Sequence, residues 1–406
     1  MPKSYGPIRR AIFSFVPIFL MMTFPPVMGC RPAEEISEPP QSPARSVPKP
    51  NAKNRKEPPA SWPIWRGPRG TGTVDGTLPE PLEPIWTFSD KEAGFEATAV
   101  IAEGTVFVGS LDGNLYALNL DDGKPRWSFP TELGFTASAA YRDGAVFAGD
   151  SEGRFYCLEA ASGKERWHFD AEAEINAGAN FHGKNVLFGS QDGILYCLEA
   201  ASGKVMWKYQ SDDQIRCSPT VVDNRAFVAG CDGKLHIVDL LRGRLVGKVD
   251  LEGPTGSTAA VLGPLAYVGT EGNTFFGIDW KEGKVVWRYE NPKRSLPFRS
   301  SAAVTPEAVV VGSRDKMVHA LDPRTGDPLW AFSTRGRVDG SPVVVGARVF
   351  VGSADGRLYA LDLASGKEHW QFETGGSLLA SPAVAADRLV IGTDDGQLFC
   401  FGREEK

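Results

Sequence analysis

Five histidines, six cysteines and a recurrent Asp-Gly pair are the side chains in this 406-residue sequence with the widest chemical reach. His168, His182, His236, His319 and His369 are scattered, and none has the partner spacing of a metal site or a nucleophile–base–acid triad. His236 and His319 fall where other copies of a repeat carry Tyr116, Tyr156, Tyr196, Phe276, Tyr359 or Phe399, so they read as packing residues. His168 and His369 flank tryptophans, and His182 lies near a turn. The pairs Asp112-Gly113, Asp192-Gly193, Asp232-Gly233, Asp355-Gly356 and Asp395-Gly396 lack the dense carboxylates of a calcium loop and read as tight turns. Cys30, Cys157, Cys197, Cys217, Cys231 and Cys400 show no C-x-x-C spacing. Cys157, Cys197 and Cys400 share one repeat position where other copies carry Ala or Gly, a pattern of small buried side chains. Cys217 and Cys231 would face each other across one hairpin, which leaves a disulfide open in an oxidising compartment. No catalytic residue, cofactor or metal ligand is assigned.

The formal charge of −6 argues against a nucleic-acid partner, which needs a basic footprint. Hydrophobic residues at 42% and charged residues at 23% are ordinary for a soluble globular body.

The N-terminus has the pattern of an export signal. Lys3, Arg9 and Arg10 precede an apolar run from Ala11 to Phe24. That run is shorter than the roughly 20 residues a membrane-spanning helix needs, so 1–29 reads as a signal peptide. Val27-Met28-Gly29-Cys30 resembles a bacterial lipobox, which implies acylation of Cys30 and a lipid anchor. Arg31 follows where an aspartate would favour inner-membrane retention, so delivery to the outer membrane, facing the periplasm, is expected. Residues 30–60 are rich in proline and charge, and read as a disordered, extended tether.

The elements that must position everything else come from one unit repeated eight times. SADGRLYALDLASGKEHWQFET from Ser353 matches SLDGNLYALNLDDGKPRWSFPT from Ser110 and SQDGILYCLEAASGKVMWKYQS from Ser190. The period is 40 residues, with one step of 43 between Trp287 and Trp330. Each unit reads as four short strands separated by glycine turns, which is a propeller blade. Third-strand motifs number eight, and an orphan outer strand, 84–88, precedes the first blade. The predicted fold is therefore all-β: one eight-bladed propeller over 61–403, its last blade completed by 84–88, with a tail at 404–406. Such closure removes exposed sheet edges.

The segment joining third and outer strands has the form A-x-D-x-x-T-G-x-x-x-W, as in Ala320…Asp322…Gly326…Trp330 and Ala360…Asp362…Gly366…Trp370. It resembles the tryptophan-docking motif of the quinoprotein-type propellers, which include quinoprotein alcohol dehydrogenases and the BamB lipoproteins of outer-membrane assembly. The opening WPIWRGPRGTG, Trp62 to Gly72, is also similar to the start of many exported members. The resemblance implies that Trp86, Trp127, Trp167, Trp207, Trp287, Trp330 and Trp370 wedge between blades. Burial of a large aromatic contributes at most about 4–6 kcal/mol gross. The fourth copy has Gly247 instead, so its interface is expected to be the weakest.

One face of the ring is predicted to be polarised, with acidic residues on blades one to three and Arg294, Arg299, Arg314, Arg335 and Arg337 on blades five to seven. Such a rim would orient a docking protein. The resemblance then implies a non-catalytic, monomeric envelope scaffold, akin to BamB, that binds envelope proteins and the membrane through its lipid. The alternatives are a quinone (PQQ)-dependent oxidoreductase, for which adjacent cysteines and long inserted loops are missing, and a propeller that binds a glycan or other small ligand.

Overall fold

The computed structural model describes residues 61–403. The signal peptide, Cys30, the tether and the 404–406 tail lie outside the described residues. Within them every helix-free segment of regular structure is a strand, and the strands form eight separate sheets. Blade one shows the plan: Val100–Ala102, Thr105–Gly109, Asn114–Asn119 and Pro125–Pro130 pair antiparallel in chain order. The second strand is buried throughout because each sheet is covered on both faces by its neighbours, which explains its unbroken Val106-Phe107-Val108. Only the outer strand alternates between exposed and half-buried.

The last sheet takes Ala383–Ala385, Arg388–Gly392 and Gln397–Gly402 from the end of the described chain and Glu83–Ser89 from its beginning. Trp86 lies opposite Cys400. Blade seven gains a fifth strand, Thr73–Val74, parallel to Val343–Val345.

Every outer strand is bulged at the same place. Ala117 pairs with Trp127 while Leu118 pairs with Pro125, leaving Arg126 as the extra residue. The same irregularity recurs in all eight sheets. A bulge re-aims the neighbouring side chain, and here it turns the indole toward the next blade. The bulged residue is pushed outward, which accounts for the exposure of Met206, Val246, Val286 and Leu329.

Each docked indole meets a glycine in the next blade's turn. The Trp127 ring covers Gly163, at φ 72°, and its Nε1–H donates to the Ala160 carbonyl at 2.9 Å. Trp86, Trp167, Trp207, Trp287 and Trp330 repeat this arrangement on Gly123, Gly203, Gly243, Gly326 and Gly366. Their N–H groups donate to Leu120, Ala200, Leu240, Pro323 and Leu363. The third-strand residue opposite each indole is small: Cys400, Ala117, Cys157, Cys197, Gly277, Ala320 or Ala360. Trp370 differs. The last blade's third and outer strands come from opposite ends of the described chain, so no turn glycine awaits it, and its ring stands edge-on to Phe401 at 5.8 Å.

The docking contact expected to be missing from the fourth blade is missing: the facing turn glycine, Gly283, has no atom within 4 Å of where a β-carbon would stand. Gly247 lies opposite Ile237, a large residue where the other blades have a small one. From the fifth blade Trp280 reaches back onto Phe227, ring centroids 5.2 Å apart and edge-on.

This arrangement predicts unequal costs for two chemically identical substitutions. Gly163→Ala adds overpacking against Trp127 to the left-handed backbone cost, for about 2–4 kcal/mol in all. Gly283→Ala, at φ 65° with no atom within 4 Å of the added methyl, costs only about 1–2 kcal/mol. Equilibrium urea unfolding of the two variants measures the difference.

Candidate functional site

The histidines that stand in tyrosine positions complete buried polar chains. In four blades the third-strand tyrosine donates to a turn aspartate, as Tyr196 does to Asp192 at 2.6 Å and Tyr359 to Asp355 at 2.9 Å. His236 Nε2 takes that role toward Asp232 at 2.7 Å and His319 Nε2 toward Asp315 at 2.9 Å. With Nε2–H donating, each Nδ1 is left as an acceptor. Tyr209 and Tyr289 fill it from the preceding blade, at 2.8 and 3.1 Å. Against the four tyrosines this interblade partner is a phenylalanine, as in Phe169 against Tyr196. Both histidines are only 1% exposed, so these Asp–His–Tyr chains bind blade to blade and offer no group to a substrate. Burial, the dominant cause, holds His236 below its ordinary pKa against the pull of Asp232.

The side chains that can meet a ligand lie on the ring axis, in two tiers. Two residues N-terminal to each inner strand stands a hydroxyl in seven copies: Thr98, Ser138, Ser218, Thr258, Ser301, Ser341 and Ser381, with Gly178 in the third. The backbone N–H of one donates to the hydroxyl of the next, from Ser218 through Thr258, Ser301, Ser341, Ser381 and Thr98 to Ser138, at 2.8–3.2 Å. Above them lies a tier of unlike residues, including Glu96, Asn176, Arg216, Arg299 and Asp339. Together the tiers line a polar cavity of about 150 Å³. Burial, then the neighbouring Asp394, raises the Glu96 carboxyl above its ordinary range. The hydroxyl tier escaped sequence reading, although stacking the eight copies in register displays it as one column.

The opening segment spans the ring beneath this cavity. Trp62 bridges Ile101 in blade one and Pro63 accepts from Tyr141 N in blade two. Trp65 lines the cavity, donating to Thr258 at 3.1 Å and packing where Gly178 lacks a side chain. Arg66 donates to Ala302 and Pro342, and Thr71 and Gly72 accept from Val304 and Val344 in blades six and seven.

The five rim arginines are less uniform than their sequence suggested. Arg314 grips Asp339 with two nitrogens, at 3.0 and 2.9 Å, and Arg337 adds a third contact at 2.9 Å. Arg299 pairs with Glu271 at 2.6 Å. Arg294 donates to the Asp315 carbonyl, and Arg335 projects into solvent with only its backbone N–H bound, to Asp355. Of the set, the guanidinium groups of Arg294 and Arg335 alone lack a carboxylate partner among the described residues. The hairpin disulfide left open above does not form: Cys217 and Cys231 are free thiols, and the Cys217 sulfur is engaged by the backbone of Ala229 instead.

The fold and the docking repeat define a quinoprotein-type propeller of eight blades. A family model described as outer membrane protein assembly factor BamB matches residues 82–212, 151–246, 191–330 and 314–404, and the chain belongs to that family. No curated protein matches the sequence. Among solved structures, BamB from Moraxella catarrhalis is 22% identical, with a TM-score of 0.68 over 80% of this chain and 98% of its own. Quinohemoprotein alcohol dehydrogenase from Comamonas testosteroni is 15% identical, with a TM-score of 0.73 over 85% of this chain and 81% of its own. The computationally designed protein Ika8 is 16% identical, with a TM-score of 0.70 over 79% and 100%. At these identities the likeness is one of fold.

Two outcomes are expected. Because His236 has a lowered pKa when folded, the unfolded chain binds more protons, and stability falls as the pH drops below about 6.5. The double variant Tyr209→Phe/His236→Tyr, which installs the Phe–Tyr pair of blade three, should lessen that acid loss in urea unfolding at pH 5 against pH 7.5. Alkylation after denaturation without reductant should label all five of Cys157, Cys197, Cys217, Cys231 and Cys400, whereas the native protein should label Cys231 alone, the others being buried.

Proposed function

We propose that this protein is a non-catalytic scaffold of the cell envelope, lipid-anchored through Cys30 at the outer membrane, that docks protein components of outer-membrane assembly. The match of the assembly-factor family model along 82–404 carries this reading. The rim supports it. Arg294 and Arg335, with the exposed Lys293 and Leu296 beside them, form a sector where cationic and apolar groups meet solvent. Arg299, Arg314 and Arg337, tied to carboxylates, hold the adjoining surface in one shape. A protein partner with an acidic face and an apolar knob suits such a surface.

The fold likeness to quinohemoprotein dehydrogenases raises quinone catalysis, and the axial residues do not suit it. The cavity is smaller than the roughly 300–1,000 Å³ of typical cofactor sites, Trp65 and the strap occupy the axis below it, and Asp339 is committed to two arginines. No group of three or more His, Cys, Asp or Glu side chains among the described residues is placed to hold a metal ion.

Charge reversal of Lys293, Arg294 and Arg335 to Glu in the full-length, membrane-anchored protein should reduce recovery of its crosslinked envelope partner at least tenfold, with an unchanged melting temperature. Undiminished recovery would overturn the docking surface, and quinone-dependent dye reduction by the purified protein would overturn the non-catalytic reading.

A further inference from the structure

Arg66 is buried to 2% exposure beneath the axial cavity, in the strap that crosses the ring. One of its nitrogens, Nη2, donates to the carbonyls of Ala302 and Pro342 at 2.9 and 2.6 Å. Its Nε and Nη1 have no acceptor, and the Nε1–H of Trp62, four residues earlier, has none either. No carboxylate pairs with Arg66 among the described residues, in contrast to Arg299, Arg314 and Arg337 on the rim. Gly72 is packed so close that a β-carbon there would overlap the guanidinium.

An uncompensated buried cation costs several kcal/mol, and unfilled N–H donors add to that. Deprotonation does not remove the problem near neutral pH, since burial lowers the Arg66 pKa only to about 9. Two carbonyl dipoles on one nitrogen and the Trp65 ring face, 5.7 Å from the guanidinium carbon, soften the charge but supply no counter-ion. What is required is a small acceptor of negative charge that can reach an enclosed site. At 2% exposure the site favours a compact anion, since a carboxylate-bearing ligand or peptide would have to bury its remaining atoms there as well.

We propose that the strap side of the propeller axis is a binding site for a halide-class monovalent anion, held by Arg66 Nε and Nη1. The ion would fasten Trp62–Val74 across the blades, linking the opening segment to blades six and seven by charge as well as by its backbone hydrogen bonds. This site is distinct from the polar cavity above Trp65 and independent of the docking role.

Crystals of the full propeller soaked in sodium bromide, with data collected at the bromine absorption edge, test it directly and need no variant. An anomalous peak within about 3.5 Å of Nε or Nη1 is expected; water alone there, or bromide peaks confined to the surface, would overturn the proposal. In solution, the melting temperature should rise with the logarithm of chloride concentration when chloride replaces gluconate at constant ionic strength. That rise should be absent in Arg66→Gln. An equal rise in Arg66→Gln would assign the effect to surface ions and count against the site.

Discussion

An indole laid over a glycine that belongs to the next blade is the contact on which this molecule depends. It needs residues at three distant places. A bulge must turn the tryptophan sideways, a small residue must stand opposite it, and the facing turn must have no β-carbon and a positive φ. Because the indole N–H also donates to the carbonyl at the start of that turn, position and orientation are fixed together. One such contact is a modest increment, since most of the rings remain half-buried. Repeated around a ring, the contacts set the angle between successive sheets.

The inner circumference is held by different chemistry. The Thr/Ser tier runs N–H to hydroxyl from blade to blade and passes between Ser381 and Thr98, residues of the last and first blades. A hydroxyl suits this place because it accepts from one backbone N–H without adding bulk at the narrowest radius. The tier is interrupted at Gly178, and the vacancy is used: Trp65 enters there and closes the axis from below. The ring is thus pinned at its rim by aromatic packing, at its centre by hydrogen bonds, and across its base by the strap.

Much of this was legible in the repeat. Period, strand count, turn glycines and docking tryptophans are local patterns, and local patterns survive in a one-dimensional reading. The placing of His236 and His319 as packing residues could be read in the same way, because they share a column with tyrosines. What escaped was pairwise. The pairing of Ile237 with Gly247 and the reach of Trp280 onto Phe227 join residues of different columns, so the sequence shows the missing indole but not these two contacts. The rim arginines misled for a related reason: their charges are visible in sequence, whereas their pairing with Asp339 and Glu271 is a matter of loop geometry. Arg66 gave no sign, since only the fold shows that it is buried.

Comparison of the copies with one another also separates what the scaffold requires from what is free to serve a role. Two residues before each inner strand the column is nearly all hydroxyl, because every blade makes the same bond there. Two residues earlier it reads Glu96, Thr136, Asn176, Arg216, Gly256, Arg299, Asp339 and Leu379, eight blades with seven residue types. Both columns sit on the same strand-entering loops and differ by one step along the axis. Uniformity at one level and diversity at the next mean that blade packing places no demand on the upper tier. Whatever distinguishes this propeller from another built on the same repeat is therefore concentrated in that tier and the loops around it, where a rigid ring presents unlike charges at fixed separations.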